Sequence, residues 1–420
     1  MSGTEQKSIS TLAERFMRYA RFDTTSDGSS SSRPTTGRQM EFLELLRREL
    51  EEMGMEDVEL DEEGTLYSTL PGGGSGDTVI GLLAHVDTSP EAPGSGVSPV
   101  VHRNWDGNPV HLREDVVIDP RQTEHMPRYR GGTIITSDGS TLLGADDKAG
   151  VAIIMEACRE LIQDPGIPRP PLRVAFTTDE EVGRGMEGFD PDRFGAELAY
   201  TVDGGAVGKV DTQTFNAWSA EWRVRGREVH PGSARGIMVN AVRILADIIS
   251  SIQPEEMPEN SSGDQGYYYP LSISSVTAEG TVRMILRDFT VSGMERRIEA
   301  MRSLENWMNA RYPKAEITLE LSEQYSNPAE ILQKDRRAVD YALRGTREAG
   351  LEPEESSIRG GTDGSRLSFM GIPTVNLPTG GEFFHSRKEW VAEEGLLLAF
   401  RTLMETLRTW GLEQDSRNTV

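Results

Sequence analysis

Three apolar runs constrain this chain more than anything else in it: TVIGLLAHVDT, LRVAFTTDEEVG and LAYTVDGG. Each has the unbroken apolar character of a strand buried on both faces, and each ends in carboxylates or an imidazole beside a turn. Such strands belong to a largely parallel sheet covered by helices on both faces, and the intervening segments supply the helices. Residues 9–20 and 39–53 carry apolar positions at helical spacing, separated by SDGSSSSRPTTG, which reads as a flexible loop. DDKAGVAIIMEACRELIQD is a further helix. After Pro328 come a long helix to about Gly350, the strand PTVNL and a last helix from Glu389 to Trp410. Residues 89–139, rich in Pro, Gly and polar side chains, read as a long functional loop with short strands.

Near Thr214 the texture changes. FNAWSAEWRVRGREVH alternates as an amphipathic strand, a helix follows from Asn240 to Ile252, then the strands SISSVTAEG and TVRMILRDF, a helix from about Gly293 to Arg311, and the strand EITLELSEQY. Strand, helix, strand, strand, helix, strand is the split, ferredoxin-like order. The expectation is one α/β sandwich domain in two parts, 1–213 and 328–420, interrupted by an α+β insert, 214–327.

Charge narrows the partners. With 44 Lys and Arg against 68 Asp and Glu, the net charge is −24, which opposes attraction to nucleic acid or to an anionic membrane. Cys158 is the only cysteine, so an intrachain disulfide and a cysteine-rich metal site are excluded, and His, Asp and Glu remain as metal ligands. That usage fits a reducing cytoplasm. MSGTEQKSIS does not read as a secretory signal, and no apolar stretch approaches the roughly 20 residues of a membrane span.

The chemistry-bearing residues sit where the apolar runs end. In AHVDT, His85 and Asp87 are two apart on a strand and share a face, so the carboxylate can hold the imidazole in one tautomer. Alone, such a pair is more often a satisfied polar contact. Asp146 and Asp147 open a helix after a glycine turn, where acidic residues that complement the helix dipole would look the same. Glu180 and Glu181 end another strand; adjacent carboxylates pointing to different sides can divide proton transfer and metal ligation, or simply face solvent. Asp203 precedes two glycines, and His385 lies between a glycine turn and the last helix. Taken together, His85, Asp146, Glu181, Asp203 and His385 occupy the ends of separate α/β segments, which converge on one crevice in an open sheet. Two zinc ions there would be neutralised by the three carboxylates and one bridging hydroxide, as a buried site requires.

AHVDTSP, TLLGADDKAGVA, FTTDEEVGRG, YTVDGG, VHPGSARGIMVNA, RDF, RGGTDGSRLSFMG and TGGEFFHSRKEW occur in that order along the chain. On these blocks the sequence resembles the peptidase T branch, the tripeptide aminopeptidases, of the dizinc family that includes aminoacylase, glutamate carboxypeptidase and succinyl-diaminopimelate desuccinylase. The resemblance implies a dizinc-exopeptidase α/β/α sandwich catalytic domain with an inserted ferredoxin-like domain serving as lid and dimerisation domain. It implies His85 and Asp203 on one zinc, Glu181 and His385 on the other, Asp146 bridging, Glu180 as general base and Asp87 orienting His85. The division of labour between Glu180 and Glu181 comes from the resemblance alone. It further implies that His230 and Asn240 of the insert reach the substrate, that a homodimer forms through the insert, and that the substrates are short peptides.

Arg359, before two glycines, offers a fork of donors suited to a peptide carboxylate, though a surface arginine at a turn would read the same. His102, His111 and His125 match no ligand motif. GVAIIM stands where the family carries GIAEIM, and Phe384 precedes His385; the latter bears on pocket shape and so on peptide length. The rival activities are a dizinc dipeptidase or N-acyl amino acid amidohydrolase of the same family and, more remotely, a metal-binding protein that has lost turnover.

Overall fold

The computed structural model describes residues 10–113 and 115–412. The segment in which no secretory signal was read therefore lies almost wholly outside the described residues. Two compact units divide the chain: one runs to Thr212 and resumes over Glu330–Ser357 and from Thr362, and the other comprises Gln213–Ala329 with Ile358–Gly361.

The first unit is built on an eight-stranded sheet. Its strands lie in the order Glu56–Leu60, Leu66–Leu70, Leu172–Thr177, Ile80–His85, Leu198–Gly204, Thr374–Pro378, Lys209–Gln213 and Glu354–Ser357. The three apolar runs are its centre, because only there can every side chain of a strand such as Ile80–His85 be buried. Ile80–His85 runs parallel to both neighbours, and Thr374–Pro378 extends the parallel core; antiparallel strands flank it on either side.

Alternation along these strands feeds two cores. Leu82, Ala84, Val174, Phe176, Tyr200 and Val202 face the larger, which the helices Thr11–Ala20, Gly37–Met53, Ala145–Gln163 and Glu393–Leu412 cover with Phe16, Leu46, Val151 and Leu403. Leu83, Ala175 and Ala199 face the smaller, beneath Phe194 and Leu367. Each large side chain so buried contributes roughly 1.5–3 kcal/mol, which fixes the register of the strand ends. The α/β/α sandwich is thus present.

Its strand order also locates the crevice. From Ile80–His85 the chain passes to Leu172–Thr177 on one side, then crosses to Leu198–Gly204 on the other, and such a reversal leaves an opening at the carboxyl ends of the strands.

Two local expectations change. Residues 390–392, read as the start of the last helix, form a strand that pairs with Ile134–Thr136, and the helix begins at Glu393. Trp390 is fully buried against Trp105, Met126 and Ile134, and that packing favours extended backbone. The strand belongs to a small sheet with Gly381–Glu382 and Val100–His102, so residues 89–139 do form short strands. The Ser-rich segment, read as a flexible loop, is pinned: the Arg184 guanidinium donates to the carbonyls of Ser30 (3.1 Å) and Ser32 (3.3 Å).

The second unit is an antiparallel sheet in the order Tyr267–Ser275, Glu279–Asp288, Asn216–Arg225, Glu316–Tyr325. Two helices, Ala241–Ser250 and Val291–Arg311, bring Ile244, Ile248, Met294 and Met301 against Trp222, Val224, Val282 and Met284. The order is that of the split motif. Ile358–Gly361, expected in the resumed sandwich, belongs here, with Ile358 N donating to the Gln213 carbonyl at 2.9 Å. Among the described residues no helix is long and apolar enough to cross a membrane.

Candidate metal centre

His85 closes its strand and Asp203 is the penultimate residue of Leu198–Gly204. Parallel pairing levels these ends, with His85 opposite Thr177 and Leu83 opposite Thr201. Just past Thr177, Glu180 and Glu181 occupy a single tight turn, Glu180–Val182, bounded by Asp179 at φ +62° and Gly183 at φ +75°. Asp146 and Asp147 were read as the first turn of a helix. They lie at the entry to Ala145–Gln163, but their backbone is not helical, and the peptide joining them is cis. His385 follows the strand Gly381–Glu382.

These elements bring the five expected ligands together. Asp146 uses one oxygen for each imidazole: Oδ1 is 3.0 Å from His85 Nε2 and Oδ2 is 3.1 Å from His385 Nε2. Glu181 Oε2 is 2.8 Å from His385 Nε2, and Asp203 Oδ1 is 3.6 Å from His85 Nε2. Two overlapping groups, His85–Asp146–Glu181 and His85–Asp147–Asp203, each hold their ligand atoms within 4.8 Å of one another. Asp147 was not foreseen in this role, and its oxygens have other work: they accept from the backbone amides of His85 and Gly150, both at 3.2 Å.

The donor set, imidazole and carboxylate, is one that zinc takes. A second observation points the same way: Glu181 Oε1 is buried and without a hydrogen-bond partner, a costly state for a carboxylate that a bound cation would relieve. Electrostatics agree. Burial raises Glu181 to about 8 and Asp203 to about 7. Burial would lower both imidazoles, but the surrounding carboxylates outweigh it, so His85 stands well above its usual value and His385 at about 11. Asp146, also buried, is nevertheless held well below the ordinary range by His385 and His85.

Asp87 touches both sides of the site. Its carboxylate accepts the amides of Glu180 (3.0 Å) and Glu181 (3.2 Å), and its Oδ1 is 3.3 Å from His85 Nδ1. His85 Nδ1 also meets the Asp87 carbonyl at 3.1 Å, which leaves Nε2 facing Asp146. Burial, reinforced by Asp363 and Asp203, pushes Glu180 well above the usual carboxylate range.

Three supports escaped the sequence reading. Glu389, raised to about 7 by burial, accepts the amides of Leu143 (2.7 Å), Gly144 (2.7 Å) and Asp146 (3.0 Å), fixing the loop that presents Asp146. Asp363, raised to about 6 by burial, accepts from Thr177 Oγ1 at 2.8 Å. Buried Lys148, lowered to about 8, donates to the Phe22 carbonyl at 2.6 Å. Asp363 and Lys148 lie in GTDG and ADDKAG, where an acid or lysine beside glycine was the available signal, whereas Glu389 in RKEW had none.

His230, Asn240 and Arg359 belong to the second unit. His230 is exposed and its Nδ1 accepts the Gly232 amide at 3.1 Å. Asn240 precedes Ala241–Ser250 without a side-chain capping bond. Arg359 donates to Gly263 O and, at 3.0 Å, to Ser261 Oγ, and stacks over Phe215 and Tyr267. His102, 2.9 Å from Thr136 Oγ1, and His111 lie in short strands, and His125 heads a turn; none joins the cluster.

A sandwich whose strand ends gather imidazoles and carboxylates around shared oxygens defines the class: a hydrolase with a site suited to metal. The sequence pattern of Peptidase family M20/M25/M40 matches residues 115–409, and the chain belongs to that family of peptidases. It is 42% identical over 400 residues to peptidase T of a Geobacillus species, a match covering 94% of this chain and 98% of the relative. Its fold is that of two solved structures. An aminopeptidase of Bacillus cereus superimposes with a TM-score of 0.74 at 23% identity, over 96% of this chain and 99% of the other. A tripeptidase of Staphylococcus aureus gives 0.77 at 21% identity, over 96% and 100%.

Proposed function

We propose that this peptidase is a zinc-dependent aminopeptidase that removes the N-terminal residue of tripeptides. The observation that carries the reading is Asp146, with one oxygen on each of two imidazoles that are otherwise faced by Glu181 and Asp203. His85 and Asp203 would hold one ion, His385 and Glu181 the other, with Asp146 shared. Zinc bound there would polarise the scissile carbonyl and acidify a water.

The chain's own groups do the rest. Glu180, its carboxyl raised by burial well above the usual carboxylate range, takes a proton from the attacking water and delivers it to the leaving amine. Asp87 keeps His85 in the tautomer whose Nε2 faces the site and holds the turn carrying Glu180. In the insert, His230 and Asn240 act on the substrate from a lid, and Arg359 pairs with its terminal carboxylate.

Tripeptide preference is supported by the 42% identity to peptidase T and by the kinship in fold with a tripeptidase. A homodimer through the insert suits the exposed Tyr269, Leu271, Ile273 and Val276 on and beside its edge strand. Buried, unpaired Cys158 suits the cytoplasm.

The test is hydrolysis of Met-Gly-Gly, with Gly-Gly and acetyl-Met alongside, by wild type and Glu180→Ala, each with its zinc measured. Methionine release by wild type, together with a nearly inert variant that keeps about two zinc per chain, supports the reading. Cleavage of acetyl-Met or Gly-Gly with Met-Gly-Gly untouched would assign the chain to the rival amidohydrolases or dipeptidases.

A further inference from the structure

Asp179 immediately precedes the proposed base, and it is the residue at which the turn is forced. Its φ of +62° is one that few residues other than glycine adopt, and such a conformation persists where surrounding contacts over-determine it. Those contacts come from the start of the helix Gly37–Met53 and the segment before it. The Asp179 carboxylate accepts the Thr35 amide at 2.8 Å, the Thr35 hydroxyl, and Gln39 Nε2 at 2.7 Å. Gln39 Oε1 in turn accepts the Asp179 amide at 3.1 Å. The pair is therefore reciprocal. Gln39 is fully buried and Asp179 only 2 % exposed, so no water competes for these bonds. On the far side of the turn, Asp87 takes the next two amides, those of Glu180 and Glu181.

We infer that Asp179 is a positioning residue, which with Gln39 and Thr35 fixes the turn from behind and sets where the Glu180 carboxylate lies. Asp87, two residues past the strand Ile80–His85, grips the turn from one side, and Asp179 ties it to Thr35 and Gln39 of the amino-terminal segment on the other. The Ser-rich segment is part of this device, since Asp27 N donates to Thr35 Oγ1 at 3.0 Å and Arg184 holds Ser30 and Ser32. The inference rests on the proposed role of Glu180.

The reciprocal pair permits a specific test. In Asp179→Asn, either orientation of the amide sets an NH2 group against a donor, Thr35 N–H or Gln39 Nε2. Adding Gln39→Glu reverses the polarity: the introduced side-chain amide at position 179 donates to the introduced carboxylate at position 39, in place of the native bond, and the backbone amide of residue 179 keeps its acceptor. The expected result with Met-Gly-Gly is that Asp179→Asn lowers kcat about 10- to 100-fold with KM and bound zinc unchanged, a cost in line with misplacing a catalytic group by about 1 Å. Gln39→Glu alone does the same by opposing two carboxylates, and the double variant recovers kcat to within about threefold of wild type, the signature of direct coupling. Should Asp179→Asn fail to fold, Thr35→Val, which removes the hydroxyl that donates to Asp179 and accepts from Asp27 N but keeps the Thr35 amide, is expected to lower kcat about three- to tenfold with KM unchanged.

Unchanged kcat in Asp179→Asn or, failing that, in Thr35→Val would overturn the inference. So would a loss that the double variant does not recover, or one that tracks zinc content. If wild type cleaves acetyl-Met in place of the tripeptide, the substrate reading fails separately and the same series is read on that amide. A wild type inactive on every amide overturns both.

Discussion

Metal binding at this site should expel protons, and the structure sets how many. Without metal, the carboxylates around His85 and His385 stabilise both as imidazolium ions, His385 with a pKa of about 11 and His85 well above its usual value. At pH 7.5 both carry a proton that must leave before Nε2 can act as a ligand. Glu181, at about 8, is then roughly three-quarters protonated, and Asp203, at about 7, roughly one-quarter. Asp146 is already ionised. Filling the site should therefore release about three protons per chain at pH 7.5, and about four if a bound water also ionises. The sign follows: protons compete with metal, so affinity rises with pH, by about three decades per pH unit near 7.5, easing towards two once both carboxyls have ionised. The measurement is titration of metal-free protein with zinc in a pH-stat, with calorimetry in two buffers of different ionisation enthalpy as a check. His385→Ala should release about one proton fewer. Release of less than one proton by wild type would refute the reasoning, because it would mean that both imidazoles are neutral in the metal-free protein.

Two further predictions concern the loop that carries Asp146. Glu389→Leu strands three amide donors, two of them buried and costing roughly 1–3 kcal/mol each, so zinc should be lost on dialysis and the melting temperature should fall, whereas Glu389→Gln, which keeps a carbonyl acceptor, should be milder; equal behaviour of the two would contradict this. Gly150→Ala places a Cβ 1.8 Å from the Val202 carbonyl oxygen and 2.4 Å from Asp147 Oδ1, an overpacking worth roughly 1–3 kcal/mol or more, and an unchanged melting curve would show that the helix shifts freely.

What could be read from the sequence was whatever a residue's own neighbours determine. The apolar runs ending at His85, Thr177 and Asp203 announce buried parallel strands, and the strand and helix order of the insert announces its sheet, because periodicity is local. The parts that escaped depend on distant backbone. Glu389 looked like an ordinary acid because its partners are amides more than 240 residues away, and amides leave no mark in a sequence. Trp390–Ala392 looked helical because its pairing strand is Ile134–Thr136. The Ser-rich segment has the composition of a mobile linker, yet it is held through main-chain carbonyls and by Thr35, groups that composition does not report.

The order in which the proposed ligands occur has a consequence for how the enzyme is made. His85, Asp146, Glu181 and Asp203 are all synthesised before the Gln213–Ala329 unit, but His385 and the Glu389 that fixes the Asp146 loop come after it. Translation proceeds at about 5–20 residues per second, so a growing chain spends roughly 10–40 seconds with most of its ligands and no closed site. A ribosome-bound or prematurely ended chain that stops short of residue 385 therefore lacks a shared ligand set. On the proposed assignment, hydrolytic competence arrives only once residue 385 has been made, and unfinished copies would be inert towards the peptides around them.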